Sequence, residues 1–167
     1  MADRDPTSGG REPGPSAQVL GTSDPCLTSF LGLATSISGA WCARTAWIDD
    51  WDPDNPARGQ CGTSSLALQD ELGGTLSRGE IALGDGRRTT AVVHYWNVFV
   101  HGHVDLTWQQ FPASARIVHR ESIRRDELLV DRWTIDRYRT LRARLDGGSS
   151  AARCDPSGAC ASVGEPV

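Results

Sequence analysis

Apolar residues in the first half of the chain recur at the spacings expected of helices. From residue 25 to about residue 47 they are three and four positions apart, which predicts an amphipathic helix that bends or breaks near Gly39. A second helical segment begins near Cys61 and ends at Gly73 and Gly74, a common C-terminal cap. Between the two helices, an acidic loop with two prolines leads the chain to Cys61.

The central part of the chain changes to a pattern typical of β-strands. Residues 75–83 and 89–100 are predicted as strands, the second being rich in β-branched and aromatic residues. His101–Gly102 suits a two-residue hairpin turn, after which residues 103–107 return as a partner strand. Gly84–Gly86 is predicted as a turn.

Residues after the hairpin predict one more short strand and then two helices. Residues 115–118 form the candidate strand, and residues 122–130 and 131–145 have helical patterns. Helices that flank a small antiparallel sheet give an α+β fold. Residues 1–24 are polar and rich in Gly, Ser and Pro, and are expected to be disordered. We therefore predict one domain over residues 25–146, followed by a flexible tail at residues 147–167.

Composition narrows the range of functions. The chain has 167 residues and a net charge of −4, and its 17 basic residues are all Arg, so a nucleic-acid or anionic-membrane partner is not expected. No signal peptide or membrane span is recognised, which favours a cytoplasmic protein with reduced thiols. Five cysteines form no dense framework, although a pair in the tail could join in a disulfide or bind metal: Cys26, Cys42, Cys61, Cys154 and Cys160.

Cys61 is the strongest candidate for a functional residue. A thiol at the start of a helix lies beside unpaired amide N–H groups and the positive end of the helix dipole, so it ionises more readily than a free cysteine. His94 and Asp105 follow on strand-like segments, in the order of a Cys-His-Asp thiol enzyme. The backbone N–H of Cys61 and the side chain of Gln60 are candidate oxyanion donors. An ordinary half-buried cysteine is the alternative.

The predicted hairpin leaves the acid partner of His94 open. A turn at His101–Gly102 places His94 opposite Gln109 and about four residues, or ~13 Å, from Asp105 along the strands. A bulge, a strong twist or a different turn is needed to bring Asp105 to the imidazole. Otherwise Gln109 or Asn97 orients His94, and Asp105 has a structural role.

Aromatic residues near these positions suggest a substrate groove. Trp96 lies two positions after His94 and can shield the imidazole from water, and Trp51, Trp96 and Asn97 are predicted to contact the substrate. Trp41, Trp47, Trp51 and Trp108 are candidates for groove walls or, alternatively, for core packing. His101 and His103 are more easily explained as solvated residues of a hairpin tip than as zinc ligands, so no metal or other cofactor is expected.

Three short motifs resemble those of transglutaminases. Gly59-Gln60-Cys61 is similar to the nucleophile motif, His94-Tyr95-Trp96 to the His-x-Trp motif, and Asp105-Leu106-Thr107 to the Asp-x-Thr motif. The resemblance implies a papain-like or transglutaminase-like core with a Cys-His-Asp triad. The chain departs from the transglutaminase pattern at Gly62, where an aromatic residue usually follows the cysteine.

A closer resemblance is to the YunG-like group of small bacterial proteins, over about residues 25–145. It rests on five spaced blocks: Asn55 to Cys61; Gln69, Asp70, Gly73 and Gly74; His94 to Asn97; Asp105 to Phe111; and Arg137, Tyr138 and Leu141. This resemblance implies a fold and a triad but no substrate.

Together these observations predict a thiol-dependent acyl-transfer enzyme that forms a thioester on Cys61. The substrate is expected to be a small-molecule or peptide acyl donor, and the acceptor is either water or an amine. A binding or regulatory protein on a papain-like scaffold is the alternative. The two differ in whether Cys61 is unusually reactive and whether that reactivity depends on His94.

Overall fold

A computed structural model describes residues 25–84 and 90–147, which form helices around a small sheet. In chain order the elements are α1 (Pro25–Gly39), α2 (Cys61–Leu72), β1 (Thr75–Leu83), β2 (Thr90–Phe99), β3 (Gly102–Val104), a 3-10 turn (Trp108–Gln110), β4 (Arg116–Ile123), α3 (Arg125–Leu128) and α4 (Arg132–Asp146). The four strands are antiparallel and lie in the order β3-β2-β1-β4. The predicted α+β class is thus confirmed. The predictions for residues 1–24 and 148–167, and most of that for the turn after β1, lie outside the described residues.

α2 is the element on which the rest of the domain packs. It contacts α1 and α4 as well as β1 and β2, and residues 63–68 at its centre are buried. Two apolar clusters surround it: Ile37, Ala40, Trp41, Ala57, Ala67, Leu68 and Leu141 on one side, and Leu66, Leu76 and Leu128 on the other. A fully buried leucine contributes about 1.5–3 kcal/mol to stability relative to an exposed one. This packing holds the first turn of α2 in place.

The predicted break near Gly39 is where α1 ends, but the helix does not resume after it, because residues 40–50 form turns and bends. Thr45 accounts for the change. Its Oγ1 accepts a hydrogen bond from the Cys42 N–H at 2.9 Å and donates to the Cys42 carbonyl, also at 2.9 Å. Side chains that satisfy nearby backbone groups in this way favour turns over helices.

The helix predicted over residues 122–130 is also wrong in extent. β4 continues to Ile123, which pairs with Leu76 of β1, and only Arg125–Leu128 forms a helical turn. The pairing with β1 supplies backbone hydrogen bonds that outweigh the local helical preference of this segment. The last predicted helix does form as α4, and Asp131 caps its N-terminus by accepting from the Thr134 N–H.

The hairpin turn lies one residue earlier than predicted, which shifts the pairing of the two strands by two residues. Phe99 pairs with Gly102 and Asn97 with Val104, so Val100 and His101 form the turn. Extending this register places Asp105 opposite Trp96, two residues from His94 or about 7 Å along the strand, instead of four. β3 ends at Val104, which releases Asp105 from the ladder.

Within the described residues, none of the helices has both the length and the apolar character needed to cross a bilayer.

Candidate active site

Cys61 is the first residue of α2 and is half-buried. The turn before it depends on Gly59, whose φ of +74° is unfavourable for residues with a side chain. A Cβ at this position would lie 2.8 Å from Ile48 Cγ1. The Gly59 carbonyl accepts from the Trp47 N–H at 2.7 Å, so the turn is fixed against the preceding segment. The backbone conformation and the lack of space for a Cβ therefore explain the glycine of the Gly-Gln-Cys motif.

Gln60 is the N-cap of α2, but its side chain makes no capping hydrogen bond. The residue is fully buried, and Nε2 donates to the Cys42 carbonyl at 3.0 Å. Within the described part of the chain, Gln60 Oε1 is buried without a hydrogen-bond partner. The side-chain donor expected to bind an oxyanion is thus already engaged. The Cys61 N–H, in the first turn of a helix, has no acceptor within that helix.

His94 and Asp105 are hydrogen-bonded to each other in the interior of the protein. His94 Nε2 donates to Asp105 Oδ2 at 2.6 Å, and the two side chains are 0% and 2% exposed. The other carboxylate oxygen of Asp105 accepts from the N–H of Thr107 at 2.8 Å and from its hydroxyl at 3.0 Å. These contacts use both oxygens of Asp105 and explain the Asp-x-Thr motif. Of the three residues considered as orienting partners of His94, namely Asp105, Gln109 and Asn97, the structure places Asp105 in contact with it.

The Cys61 side chain interacts with the same imidazole. Burial opposes the charged form of His94, but hydrogen bonds to Asp105 and Cys61 and the charges of both groups outweigh it and raise the pKa of His94 to about 9. Since Nε2 is committed to Asp105, Nδ1 is the nitrogen available to the thiol. A protonated imidazole beside a thiol favours the thiolate.

Aromatic rings surround the imidazole. Trp96 is stacked on it with ring centroids 5.9 Å apart, and Phe111 and Trp108 approach edge-on at 4.8 and 6.0 Å. Trp96 also covers Gly79, the partner of His94 on β1, where any Cβ would lie 2.6 Å from the indole ring. This enclosure keeps water from the His94–Asp105 pair and strengthens its electrostatic interaction.

The three residues predicted to contact substrate have other contacts in the structure. Trp96 is buried and its Nε1 donates to His103 Nδ1 at 3.0 Å, while Asn97 Nδ2 donates to the Ser65 carbonyl of α2 at 3.0 Å. Trp51 Nε1 donates to the Pro56 carbonyl at 3.1 Å. Trp96 and Asn97 thus act on the site through packing, and none of the three lines the pocket beside Cys61.

The pocket that opens beside Cys61 has a volume of about 730 Å³. This is within the usual range for small-molecule sites. Its walls are mainly apolar, and they come from the segment before α2, from β2, from the loop after β3 and from α3 and α4: Trp47, Ile48, Val92, Val93, Tyr95, Phe111, Pro112, Leu128 and Val130. Gly62 leaves space next to the thiol, since a Cβ there would meet only Leu128 and Tyr95, at 3.7 and 3.9 Å.

A comparison with protein-family models matches residues 29–149 to the YunG protein family. The match covers most of the chain. This chain belongs to the YunG family. Searches of curated proteins and of solved structures found no match.

In this YunG chain, Gln110 is a site residue that sequence reasoning missed. Its Oε1 accepts from the Gly59 N–H at 3.2 Å, its Nε2 donates to the Thr107 carbonyl at 3.0 Å, and Nε2 lies 3.5 Å from His94 Nδ1. It therefore ties the turn before Cys61 to the loop that carries Asp105. The sequence does contain a signal for it, because Gln110 is the glutamine of the Asp-Leu-Thr-x-x-Gln-Phe block between Asp105 and Phe111.

Replacing Gln110 with alanine is expected to reduce the rate of Cys61 alkylation by iodoacetamide at pH 7 about fivefold, since a hydrogen bond such as the partly buried one to Gly59 is worth about 1 kcal/mol. Gln109→Ala is the matched control, because Gln109 is exposed and adjacent. Mass spectrometry of the Cys61 peptide provides the rates. Equal rates in the two variants would show that Gln110 does not position the site.

The described residues contain no group of three or more His, Cys, Asp or Glu side chains arranged to hold a metal ion. His103 accepts the Trp96 indole hydrogen bond through Nδ1, which gives that histidine a structural contact.

Proposed function

We propose that this YunG chain is a thiol-dependent acyl-transfer enzyme in which Cys61 is the nucleophile, His94 the acid and base, and Asp105 the residue that orients His94. The observation that carries the proposal is the buried His94–Asp105 hydrogen bond at 2.6 Å, with the Cys61 side chain on the same imidazole and beside an open pocket. A structural histidine and a structural cysteine do not require this combination.

In the first half of the reaction, the Cys61 thiolate attacks the carbonyl carbon of an amide or thioester and a C–S bond forms. The carbonyl π electrons move to oxygen, where the Cys61 N–H stabilises the developing charge. When the intermediate collapses, the bond to the leaving group breaks. An amine leaving group takes its proton from protonated His94, whose raised pKa keeps that proton available at neutral pH.

In the second half, the acceptor attacks the thioester. Water or an amine gives its proton to His94 as it bonds to the carbonyl carbon, the C–S bond breaks, and the Cys61 thiolate is restored with protonated His94 beside it. Water gives a hydrolase of the amidase or peptidase type, whereas an amine gives an acyltransferase. The substrate is a small molecule or peptide with an acyl group, and the chemistry needs no cofactor.

The same arrangement supports a papain-like or transglutaminase-like core as the ancestry of the fold. The nucleophile is at the start of a central helix, the imidazole is on a strand of an antiparallel sheet against which that helix packs, and the acid follows the neighbouring strand. The scheme assigns the oxyanion to the Cys61 N–H, because Gln60 is fully buried and one of its two amide N–H groups is bonded to Cys42.

The experiment is acylation by p-nitrophenyl acetate, with an acetyl adduct measured at each cysteine peptide. We expect the adduct at Cys61 first, its loss in Cys61→Ser, and its faster removal when glycine methyl ester is added if the enzyme uses amines. If Cys61 in the folded protein is acetylated no faster than in urea, the binding or regulatory alternative replaces the enzyme.

A further inference from the structure

The pocket beside Cys61 contains one arginine whose charge has no carboxylate partner among the described residues. Arg137, from α4, lines the pocket, and so do Arg58 and two acidic residues, Glu127 and Asp131. Arg58 is paired with Asp50 at 2.9 Å. For Arg137, the described part of the chain shows no ion pair within 4.0 Å.

Both acids of the pocket are already engaged with other groups. Glu127 Oε1 accepts from the Arg124 N–H at 2.8 Å and also lies 4.0 Å from the Arg124 guanidinium. The two oxygens of Asp131 accept from the N–H and the hydroxyl of Thr134, at the N-terminus of α4. The guanidinium of Arg137 therefore has no carboxylate partner within 4.0 Å among the described residues. Asp131 retains its own negative charge, because Thr134 is an uncharged donor.

Arg137 is also held in a fixed orientation. Its guanidinium carbon lies over the rings of Trp47 and Trp133, at 5.5 and 5.4 Å from their centroids, and Nε donates to the Ala46 carbonyl at 2.5 Å. Nη1 makes only a 3.5 Å contact with the Trp133 carbonyl. A guanidinium carries five N–H donors in a planar fork. Most of that fork is therefore available to a ligand, without the entropy cost of ordering the side chain.

We propose that this pocket selects acyl donors that carry a carboxylate in addition to the reacting carbonyl, with Arg137 as the residue that binds the carboxylate. The apolar walls accommodate the carbon chain between the two groups, and Gly62 leaves the thiol accessible. A planar guanidinium binds a carboxylate through two parallel hydrogen bonds, which lysine does not reproduce. The inference rests on the proposed function, because it names the substrate class of the same site.

A matched pair of maleimides tests the proposal without knowledge of the natural substrate. The Cys61 thiolate adds to the maleimide double bond, and the neighbouring carbon takes up a proton. The probes are 6-maleimidohexanoate and its neutral amide, with 3-maleimidopropionate and its amide as a shorter pair. In the wild-type protein we expect the carboxylate of at least one pair to label Cys61 about fivefold faster than its amide, the size of a partly exposed charge pair.

Two substitutions on α4 distinguish carboxylate binding by Arg137 from a general effect of positive charge on the protein surface. Arg137→Gln is expected to abolish the preference for the carboxylate, whereas Arg139→Gln, which removes an exposed arginine two positions away, retains it. Arg137→Lys is expected to keep part of the preference and provides a second variant if Arg137→Gln unfolds. Salt at 1 M is expected to reduce the preference, since the Debye length then falls to about 3 Å.

The outcomes distinguish the inference from the proposed function. If both probes of each pair label Cys61 rapidly and equally in the wild-type protein, the carboxylate proposal is wrong while the nucleophile remains. Equal loss of preference in Arg137→Gln and Arg139→Gln would also overturn it, since bulk charge then explains the effect. If Cys61 reacts with the neutral maleimides no faster than in urea, the proposed function itself fails.

Discussion

Replacing His94 with alanine is expected to lower the rate of Cys61 acylation by p-nitrophenyl acetate about 10²- to 10⁴-fold at pH 7, the usual contribution of a positioned acid or base. In the proposed mechanism the imidazole of His94 takes the proton of the Cys61 thiol, and His94 is the histidine that interacts with Cys61 in the described part of the chain. His119→Ala is the matched control, because His119 lies exposed on β4 and is expected to leave the rate unchanged.

Two readouts separate this loss from simple unfolding. His94 is fully buried, so the smaller change His94→Gln accompanies alanine, and both variants are compared with the wild-type protein by circular dichroism and urea unfolding. We expect the folded His94→Gln protein to lose acylation as well. A folded variant of either kind that acylates Cys61 at the wild-type rate would remove His94 from the mechanism.

Replacing Asp105 with alanine is expected to reduce both activity and stability. The carboxylate is 2% exposed and binds a buried imidazole, and removing one partner of a buried charge pair costs about 3–5 kcal/mol of unfolding free energy. The rate of Cys61 acylation is expected to fall at least 10²-fold. The hydrogen bond from Nε2 to Asp105 fixes the orientation of the imidazole so that Nδ1 faces the thiol, and this bond is lost in the variant. Asp136→Ala is the control, since its ion pairs are on the surface and contribute little.

The pH dependence of stability provides a further test of the His94–Asp105 pair. Cys61→Ser is the appropriate background, because Asp105, at 2.6 Å, is then the charged group that keeps the pKa of His94 raised. The folded pKa of His94 is above its unfolded value of about 6.5, so the stabilisation is complete below that pH and is lost as pH rises through the folded pKa.

In urea titrations, we therefore expect the free energy of unfolding of Cys61→Ser to fall by on the order of 1 kcal/mol between pH 6 and pH 9.5. We expect a smaller fall in the double variant Cys61→Ser, Asp105→Asn. If the free energy of unfolding changes equally with pH in the presence and absence of the Asp105 carboxylate, that carboxylate does not hold the proton on His94. Imidazole NMR signals provide the protonation state independently.

The elements with strong local patterns were the ones that sequence predicted well. β1 has the predicted bounds, and α4 follows Asp131 as expected, because alternation and capping are properties of neighbouring residues. The break at the end of α1 was predicted, but the irregular segment that follows was not, since it depends on the Thr45 side chain closing a turn on Cys42. The extent of β4 was missed because pairing with β1 decides it.

In the candidate site, too, residue types and their order were predicted from the sequence, whereas contacts between distant residues were not. Cys61, His94 and Asp105 were selected from residue type and order, and the structure brings them together. The hairpin register was wrong by two residues, because two adjacent two-residue turns suit the same sequence and only packing chooses between them. The hydrogen bonds of Gln60 and Gln110 join them to the distant residues Cys42 and Gly59. The sequence block that contains Gln110 marks this residue as a candidate, but it does not predict these partners.

The most direct measurement is the rate of Cys61 alkylation by iodoacetamide between pH 4 and pH 10, followed by mass spectrometry of the Cys61 peptide. If His94 and Cys61 exchange a proton, Cys61 reacts readily at pH 6, where a free thiol with a pKa of about 8.5 is almost fully protonated. His94→Gln then shifts the profile to that of a free thiol. A wild-type profile that already follows a free thiol, and is unchanged in His94→Gln, would contradict the account.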